Sequence, residues 1–560
     1  ATAAMKFSPK HAAKWQVAVV GSGPSGCYVA DYLTRKHDGL HVDIYEKLPV
    51  PFGLLRYGVA PDHPEVKNLE DKFKTLIASP KCTWIGNVTI GKDVTVEQLL
   101  ESYSAVVVCT GASSDRSLDI PGEDLIGVVS ARQFVNYYNT YPHPYGSPAM
   151  CPVDLAQATD AVIIGNGNVA VDVARVLASS YKYWCPTDMN CSAVKEFMQH
   201  NRLQRVHVVG RRGPEHSAFT TAEFRELTTF KSENSVRVSV DPFDLTQMLL
   251  KPECQARPKR RLLELIHKFS STPAAAAAAA AENTAAAGSS DGGSSKKLKA
   301  LERGSCHVQF RYHLRPVAFL PRPDDRRVLG AVRFERVNPA STDTTREFIN
   351  IPCSVAFKSV GYASDPDAVR GVPFDASRKT VENEDGRVKI SGGAAAGHMY
   401  CAGWCKRGPN GVILHTMNDA YGVAQRVLDD MTNGVIEKKP THGGKYALLD
   451  LFVAKNLSPI SHHGLQRIWN TEKERGIDLG KRLEKIQRVS DMLDIGGGGK
   501  VGKRAHNRVR GIANARPDAL MYLSELLDDD TDLSDFAKTM GRDMPRHLAE
   551  GSDTVTPKQL

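Results

Sequence analysis

Gln16–Glu46, QVAVVGSGPSGCYVADYLTRKHDGLHVDIYE, decides the fold. Val17–Val20 is a purely apolar run with the character of a buried parallel strand, and it leads into Gly21, Gly23 and Gly26 spaced as GxGxxG. The first glycine permits a tight turn, the second lets a pyrophosphate approach the main chain, and the third lets the following helix pack on the strand. The N–H groups that open such a helix point at the anion. Val42–Tyr45 predicts the second strand, which ends in Glu46, twenty residues beyond Gly26 and placed to accept ribose hydroxyls. A glycine pattern by itself is weak evidence. Strand, glycines, helix and terminal acid within about thirty residues specify a dinucleotide site.

The same grammar recurs. Ala105–Thr110 predicts a late strand of this first unit, closing on Gly111. Ala161–Ile164 then leads into Gly165, Gly167 and Ala170, followed by a helix whose Val169, Val173, Val176 and Leu177 share one face. Val206–Val209 ends in Gly210, Arg211 and Arg212, where the first unit has its acid. A carboxylate there would repel a 2'-phosphate, whereas two guanidinium groups hold one through charge-assisted bonds, so the second site is expected to prefer NADP. The bland alternative is that the arginines only solvate a strand end. Ser354–Val360 before Gly361 echoes the strand before Gly111, and Met399–Trp404 reads as one more strand, running through Gly403. Insertion of one nucleotide domain into the other explains its late position.

At 560 residues the chain exceeds one ordinary core, and its formal charge of +9 favours acidic partners. No apolar run approaches the length of a membrane span, so a soluble protein is expected. The eleven cysteines contain no CxxC, and Cys401 and Cys405 are separated by three residues. That spacing argues against a redox dithiol, a zinc knuckle and a cysteine-ligated cluster, and no metal site is expected. Lys6, Lys10 and Lys14 precede the first acid, Asp31, which suits either a presequence remnant or a frayed terminus.

Pro49, Pro51, Gly53, Gly58, Pro61 and Pro64 predict a loop without helix or central strand around His63. Arg257, Lys259, Arg260 and Arg261 form a basic cap on an amphipathic helix carrying Leu262, Leu265, Ile266 and Phe269. Ser270–Ser295 collapses into alanine, serine and glycine and reads as a disordered insertion. Gly497–Lys503 fits GxxxxGK, but Arg504 follows and no apolar strand precedes it, so it reads as a flexible linker. The basic run Lys500–Arg510 lacks interleaved aromatics and is balanced by Asp528, Asp529, Asp530, Asp532 and Asp535, so no nucleic acid partner is expected.

Four strings carry a resemblance: VPFGLLRYGVAPDHPEVKN from Val50, GNGNVAVDVAR from Gly165, VGRRGP from Val209 and AGWCKRGPNGVI from Ala402. With them, residues 15 to about 430 resemble the adrenodoxin reductase type of ferredoxin-NADP reductase, related in fold to glutathione reductase. The resemblance implies an α/β fold of two Rossmann-like three-layer dinucleotide-binding domains, one inserted in the other. Residues 15–113 and 366–430 would form the FAD domain and 114–365 the NADP domain, with an insertion at 270–298. Residues 1–14 and 431–560 would be extensions, the latter partly helical and partly flexible.

FAD would lie against Gly21, Gly23, Ser25, Gly26, Glu46, Leu54 and Ile90, with Trp404, Gly411, Val412 and Ile413 at its isoalloxazine end. NADP(H) would meet Asn166, Gly167, Asn168, Val169, Arg211, Arg212, Glu223 and Gly411. His63 and Asp172 would sit around the nicotinamide and flavin. Arg257, Lys259, Arg260 and Arg261 would receive a small acidic 2Fe–2S ferredoxin of the adrenodoxin type. The implied protein is a monomer of the mitochondrial matrix without a transmembrane segment, peripheral membrane contact being left open.

Its expected chemistry is hydride transfer from NADPH to FAD, followed by release of electrons one at a time to the carrier. A thioredoxin or glutathione reductase would need the missing CxxC. A glutamate synthase small subunit would carry clustered cysteines before the first fold. A flavin-binding protein without enzymatic activity, acting through its basic tail, is the alternative from another class.

Overall fold

The computed structural model describes residues 15–142, 151–229, 236–270, 306–337, 346–389, 398–436 and 443–498. The insertion expected at 270–298 falls, apart from Ser270, outside the described residues, as does the basic run Lys500–Arg510.

Trp15–Val20 is buried at all but one position, as a strand must be when helices cover both faces of a parallel sheet. It pairs in parallel with Leu40–Tyr45 on one side and Ala105–Val108 on the other. Cys82–Ile85 extends the sheet beyond Leu40–Tyr45. His398–Cys401 extends it beyond Ala105–Val108, in parallel, and carries the antiparallel strands Arg387–Val388 and Asn383–Glu384 at that edge. The chain therefore leaves this sheet after Val108 and returns to it late.

A second sheet fills the interval and repeats the arrangement. Asp160–Ile164 lies between Arg205–Val209 and Val355–Lys358, all parallel. His307–Arg311 and Arg237–Val240 continue one side, and Val128–Ser130 closes the other. In both sheets the glycine-bearing strand sits between the strand that follows it and a late strand. Outgoing Ser114–Asp115 pairs antiparallel with returning Tyr362–Ala363, so both connections run through one ribbon. The molecule has the expected two Rossmann-like folds, one inserted in the other. We propose this ribbon as the boundary expected at 113/114 and 365/366.

Several local expectations change. The loop around His63 contains two helical turns, Leu54–Tyr57 and Pro64–Lys67. Proline at the first helical position forfeits no hydrogen bond, which is why Pro64 starts a helix there. The late strand stops at Cys401. Gly403 turns the chain at φ +76°, and Trp404 begins the helical turn Trp404–Arg407. Gly497 and Gly498 belong to the helix Val489–Gly498, and the rest of the stretch expected as a linker, to Lys503, lies outside the described residues. A three-stranded antiparallel meander, Leu314–Pro321, Leu329–Arg336 and Phe348–Pro352, covers the second sheet, packing Phe319, Val332 and Phe334 with Val162 and Ile164.

The segment after 431 is no appendage where it is described. Ile460, Leu465, Ile468, Ile486, Met492 and Leu493 share one core with Val17, Val19, Phe52 and Phe73 of the first domain. Helix His462–Asp478 brings Trp469 to stack on Phe52 at 5.9 Å. Phe52 itself sits at φ +84°, a conformation a bulky residue adopts only where its surroundings impose it.

Candidate active site

The first glycine turn separates what the protein needs for itself from what it leaves open. Gly21, at φ +101°, donates its N–H to Tyr45 O at 2.8 Å, and a Cβ there would lie 2.6 Å from Cys109 O. A Cβ on Gly26 would fall 1.9 Å from Gly21 O. A Cβ on Gly23 would meet nothing within 4 Å. The second glycine thus faces open space, as a pyrophosphate requires. Helix Pro24–Lys36 begins at Gly23 with no side chain capping it, so its first N–H groups, near the buried Ser25, are available to an anion.

Glu46 stands at the rim. Its Oε2 accepts the Ser22 N–H at 3.0 Å and the Ser22 hydroxyl at 2.7 Å, while Oε1 accepts the Leu48 N–H at 3.2 Å. Phe52 N–H donates to Ser22 O at 3.0 Å, which brings Gly53, and Leu54 after it, over the turn. Ile90 is not brought into this group. Its side chain lines a small apolar cavity with Val20, Val96, Leu99 and Val106. Val88, two residues earlier, is the one tied to the acid, its N–H donating to Glu46 O at 2.9 Å.

The late return of the chain completes this site. A Cβ on Gly403 would touch Ser25 Oγ at 2.6 Å, so the two ends of the domain meet directly. Gly403 N–H donates to Asp419 Oδ2 at 2.6 Å, and the Trp404 ring lies 5.9 Å from that of Tyr362. Gly411, at φ +86°, leaves no room for a Cβ beside His415 Nδ1. Val412, half exposed, precedes helix Ile413–Thr432, whose first turn is again uncapped by any side chain. An open second glycine, two uncapped helix starts and a rim carboxylate fit the FAD expected here.

The second turn repeats the first. Gly165, at φ +125°, donates to Val209 O at 2.9 Å, and a Cβ there would strike Ser359 O at 2.1 Å. Gly167 again faces open space and starts the uncapped helix Asn168–Ala178. Asn166 O accepts the Ala218 N–H at 3.0 Å and Asn168 Oδ1 the Thr220 N–H at 2.9 Å. These bonds pin the loop after the arginine pair. Val169 packs on the domain core. Arg211 and Arg212 are exposed, and neither guanidinium has an ion pair or side-chain hydrogen bond among the described residues. Two bare cations beside an anion-ready helix fit NADP.

A cluster of charged groups joins the two domains. His63 Nε2 is 2.7 Å from Glu226 Oε2 and 3.1 Å from Arg175 Nη1. Arg175, almost wholly buried, pairs with Asp62 at 3.1 Å, Asp172 at 2.9 Å and Glu226 at 2.7 Å. Tyr183 donates its hydroxyl proton to Asp62 Oδ2 at 2.9 Å. Burial pushes the Asp172 carboxyl up from its usual range. Burial and the neighbouring Asp172 charge push Glu223 up to about 7. His63, Glu223 and Glu226 hold ligand-capable atoms within 4.8 Å of one another, but the Arg175 guanidinium already occupies a cation's place beside Glu226.

His63, Asp172 and Glu223 were expected from sequence. Asp62, Arg175, Tyr183 and Glu226 were not. Arg175 follows Asp172, and Glu226 follows Glu223, by three residues on helices, a spacing that places each pair on one face. That was the available signal.

The basic run behaves unevenly. Helix Arg257–His267 buries Leu262, Leu263 and Ile266, so the cations occupy its first turns and do not precede it as a cap. Arg257 and Arg261 are exposed. Arg260 pairs with Glu264 at 2.9 Å on the same face. Lys259 turns inward, its Nζ donating to Ser217 O at 3.0 Å behind the arginine pair, and so is not displayed with the others.

Comparison with known proteins agrees with this geometry. Residues 15–238 match the pyridine nucleotide-disulphide oxidoreductase family. The chain is 38% identical over 489 residues to the Bos taurus protein named NADPH:adrenodoxin oxidoreductase, mitochondrial, spanning 86% of this chain and 92% of that one. The Arabidopsis thaliana protein of the same name is 34% identical, with 87% and 96% covered. Among solved structures, Mycobacterium tuberculosis FprA in complex with NADPH superposes with a TM-score of 0.70 at 30% identity, covering 86% of this chain and 99% of that one. No helix among the described residues is long and apolar enough to cross a membrane. With such identity sustained over nearly the whole of its relatives, this chain belongs to the NADPH:adrenodoxin oxidoreductase family.

Proposed function

We propose that this protein, an FAD-dependent NADP oxidoreductase, passes electrons from NADPH one at a time to a small acidic 2Fe–2S ferredoxin in the mitochondrial matrix. The observation that carries this reading is the pairing of two open glycine turns, one rimmed by Glu46 and the other by the bare Arg211 and Arg212, across a shared charged seam. Bound flavin supplies the conversion between a two-electron donor and a one-electron acceptor. The chain's own residues do the rest.

Gly23 and the first N–H groups of Pro24–Lys36 hold the flavin nucleotide's pyrophosphate, and Glu46 accepts its ribose hydroxyls. Leu54, Trp404, Gly411, Val412 and Ile413 border the other end, while Ile90 supports the sheet beneath. Asn166–Val169 and the two arginines would hold NADPH, and the His63, Asp172 and Glu223 cluster would border its reacting end. Hydride transfer needs no proton from the enzyme in that step, so His63 positions and does not act as an obligatory acid. Arg257, Arg260 and Arg261 offer a steering surface to the acidic carrier; a contact that must dissociate each cycle is small and polar. The relatives' mitochondrial names and the +9 formal charge suit such a partner.

The test compares NADPH-driven reduction of an adrenodoxin-like ferredoxin with that of ferricyanide as salt is raised. At physiological ionic strength the Debye length is about 8 Å, and at about 1 M it is roughly 3 Å. Ferredoxin reduction should fall steeply and ferricyanide reduction far less. Changing Arg257, Arg260 and Arg261 to glutamate should reproduce the split at low salt. Unchanged ferredoxin reduction by that variant would remove this surface from the reading.

A further inference from the structure

Away from both glycine turns, the described residues bury four cations in one interface. Arg56 and Lys67 come from the first domain's loop, and Lys481 and Lys485 from the segment that follows helix His462–Asp478. Lys67 Nζ donates to both oxygens of Asp188, at 2.8 Å each. Asp188 belongs to the inserted domain. Lys485 Nζ reaches the same carboxylate at 3.0 Å and Asn139 O, also of the inserted domain, at 3.2 Å. Lys481 Nζ donates to Met189 O at 2.6 Å, Gln487 Nε2 to Asn190 Oδ1 at 2.6 Å, and Cys191 N–H to Glu484 Oε1 at 3.1 Å. Lys481–Gln487 therefore runs across the inserted domain as a strap. Its other anchor is the first domain, where Glu472 takes the Arg56 guanidinium on both oxygens at 2.6 Å and the Ile486 N–H at 3.0 Å.

Stability alone is a poor reason for this arrangement. Two ammonium groups converge on one carboxylate, and all three side chains are nearly inaccessible. Burial pulls the Lys485 ammonium down to about 8, and a buried ion pair commonly contributes no more than apolar side chains of the same size. What it does supply is a defined geometry between two domains whose connections run through a two-stranded ribbon.

The position of Lys67 says which geometry matters. His63 caps the N-terminus of the helical turn Pro64–Lys67, so the residue at the seam and the residue at the latch are opposite ends of one turn. Asp62 and His63 bind Arg175, Tyr183 and Glu226, and Lys67 binds Asp188, which lies soon after Tyr183 in the chain. The loop is thus held to the inserted domain at two points, and Lys485 holds the second from behind.

We infer that the Lys67–Asp188–Lys485 latch sets the angle at which the NADP domain presents its nicotinamide to the flavin domain, making Lys485 a positioning residue for hydride transfer. The inference rests on the NADPH-to-flavin reading above. Lys485→Met keeps most of the side chain's length, removes its charge, and leaves Lys67 and Asp188 as a balanced pair. In the full-chain holoenzyme, without air, bleaching of the flavin at saturating NADPH should slow by about tenfold or more, since an error of about 1 Å between reacting groups is enough to do so. The NADP+ dissociation constant should stay within about twofold, because Arg211 and Arg212 are untouched, and Lys485→Arg should restore most of the rate.

A second readout needs no turnover. Amide hydrogen exchange in residues 61–68, measured without nucleotide, should speed up in Lys485→Met. Parent-rate bleaching together with parent-like exchange in a folded, flavin-loaded variant would overturn the inference. If Lys485→Met does not fold, Gln487→Ala decides the matter. It loses one bond of the strap and should show the same two effects, smaller; the absence of both would refute the latch. A wild-type protein that NADPH fails to bleach would refute the functional reading, while the exchange comparison would still judge the latch.

Discussion

Replacing both Arg211 and Arg212 by alanine should abolish the preference for NADPH over NADH while leaving the fold intact. The structure separates these effects because both guanidinium groups are exposed and neither pairs with another side chain among the described residues. Nothing in the protein is stranded by their removal, and surface changes of that kind stay within about 0.5 kcal/mol. The whole loss should appear in binding the 2'-phosphate. Each charge-assisted contact contributes about 1.5–3 kcal/mol, so the pair accounts for about 3–6 kcal/mol. At about 1.4 kcal/mol per decade, kcat/KM for NADPH should fall by roughly 10²–10⁴. NADH lacks the phosphate and should be used as before. Steady-state ferricyanide reduction with each nucleotide, beside a thermal melt, measures both halves. A stable double variant that still preferred NADPH by the parent ratio would show that the phosphate is read elsewhere, and the argument from the strand end would fail.

Two further outcomes follow from buried charge. Glu472→Gln should cost about 3–5 kcal/mol of stability, because it leaves the Arg56 guanidinium buried against a neutral partner. Chemical denaturation of the flavin-loaded protein reads this, and a loss below about 1 kcal/mol would mean that the pair is not desolvated. Glu223, raised to about 7 from 4.5, contributes stability that is complete below about pH 4.5 and is lost as pH rises through about 7. Glu223→Gln removes that titration, so the variant should gain on the parent between pH 5 and pH 8, by roughly 1–2 kcal/mol after solvent screening. Melting curves without nucleotide should diverge accordingly, and parallel curves would contradict the burial of this carboxyl.

Both nucleotide folds were legible in the chain because the information is local. A strand, a glycine turn, a helix and a terminal acid or arginine pair lie within one supersecondary unit, and backbone sterics dictate each glycine: Gly21, Gly26 and Gly165 have no room for a Cβ. The insertion of one fold in the other was legible for a related reason, since a parallel strand appearing late must return to a sheet already begun.

Tertiary structure alone decided the rest. Asp62, Arg175, Tyr183 and Glu226 are ordinary polar residues in sequence and become a seam only when two domains meet. Lys259 looks like its neighbours in a basic run, and the phase of its helix turns it toward Ser217. The segment from 431 on reads as a partly helical, partly flexible extension because patterning assigns charged residues to the surface. Here Arg56, Lys67, Glu472, Lys481 and Lys485 are interior, and their burial depends on partners distant in the chain. Apolar periodicity reports which side chains leave water by themselves; a charge leaves water only with its counter-charge, and no local pattern records where that counter-charge will be.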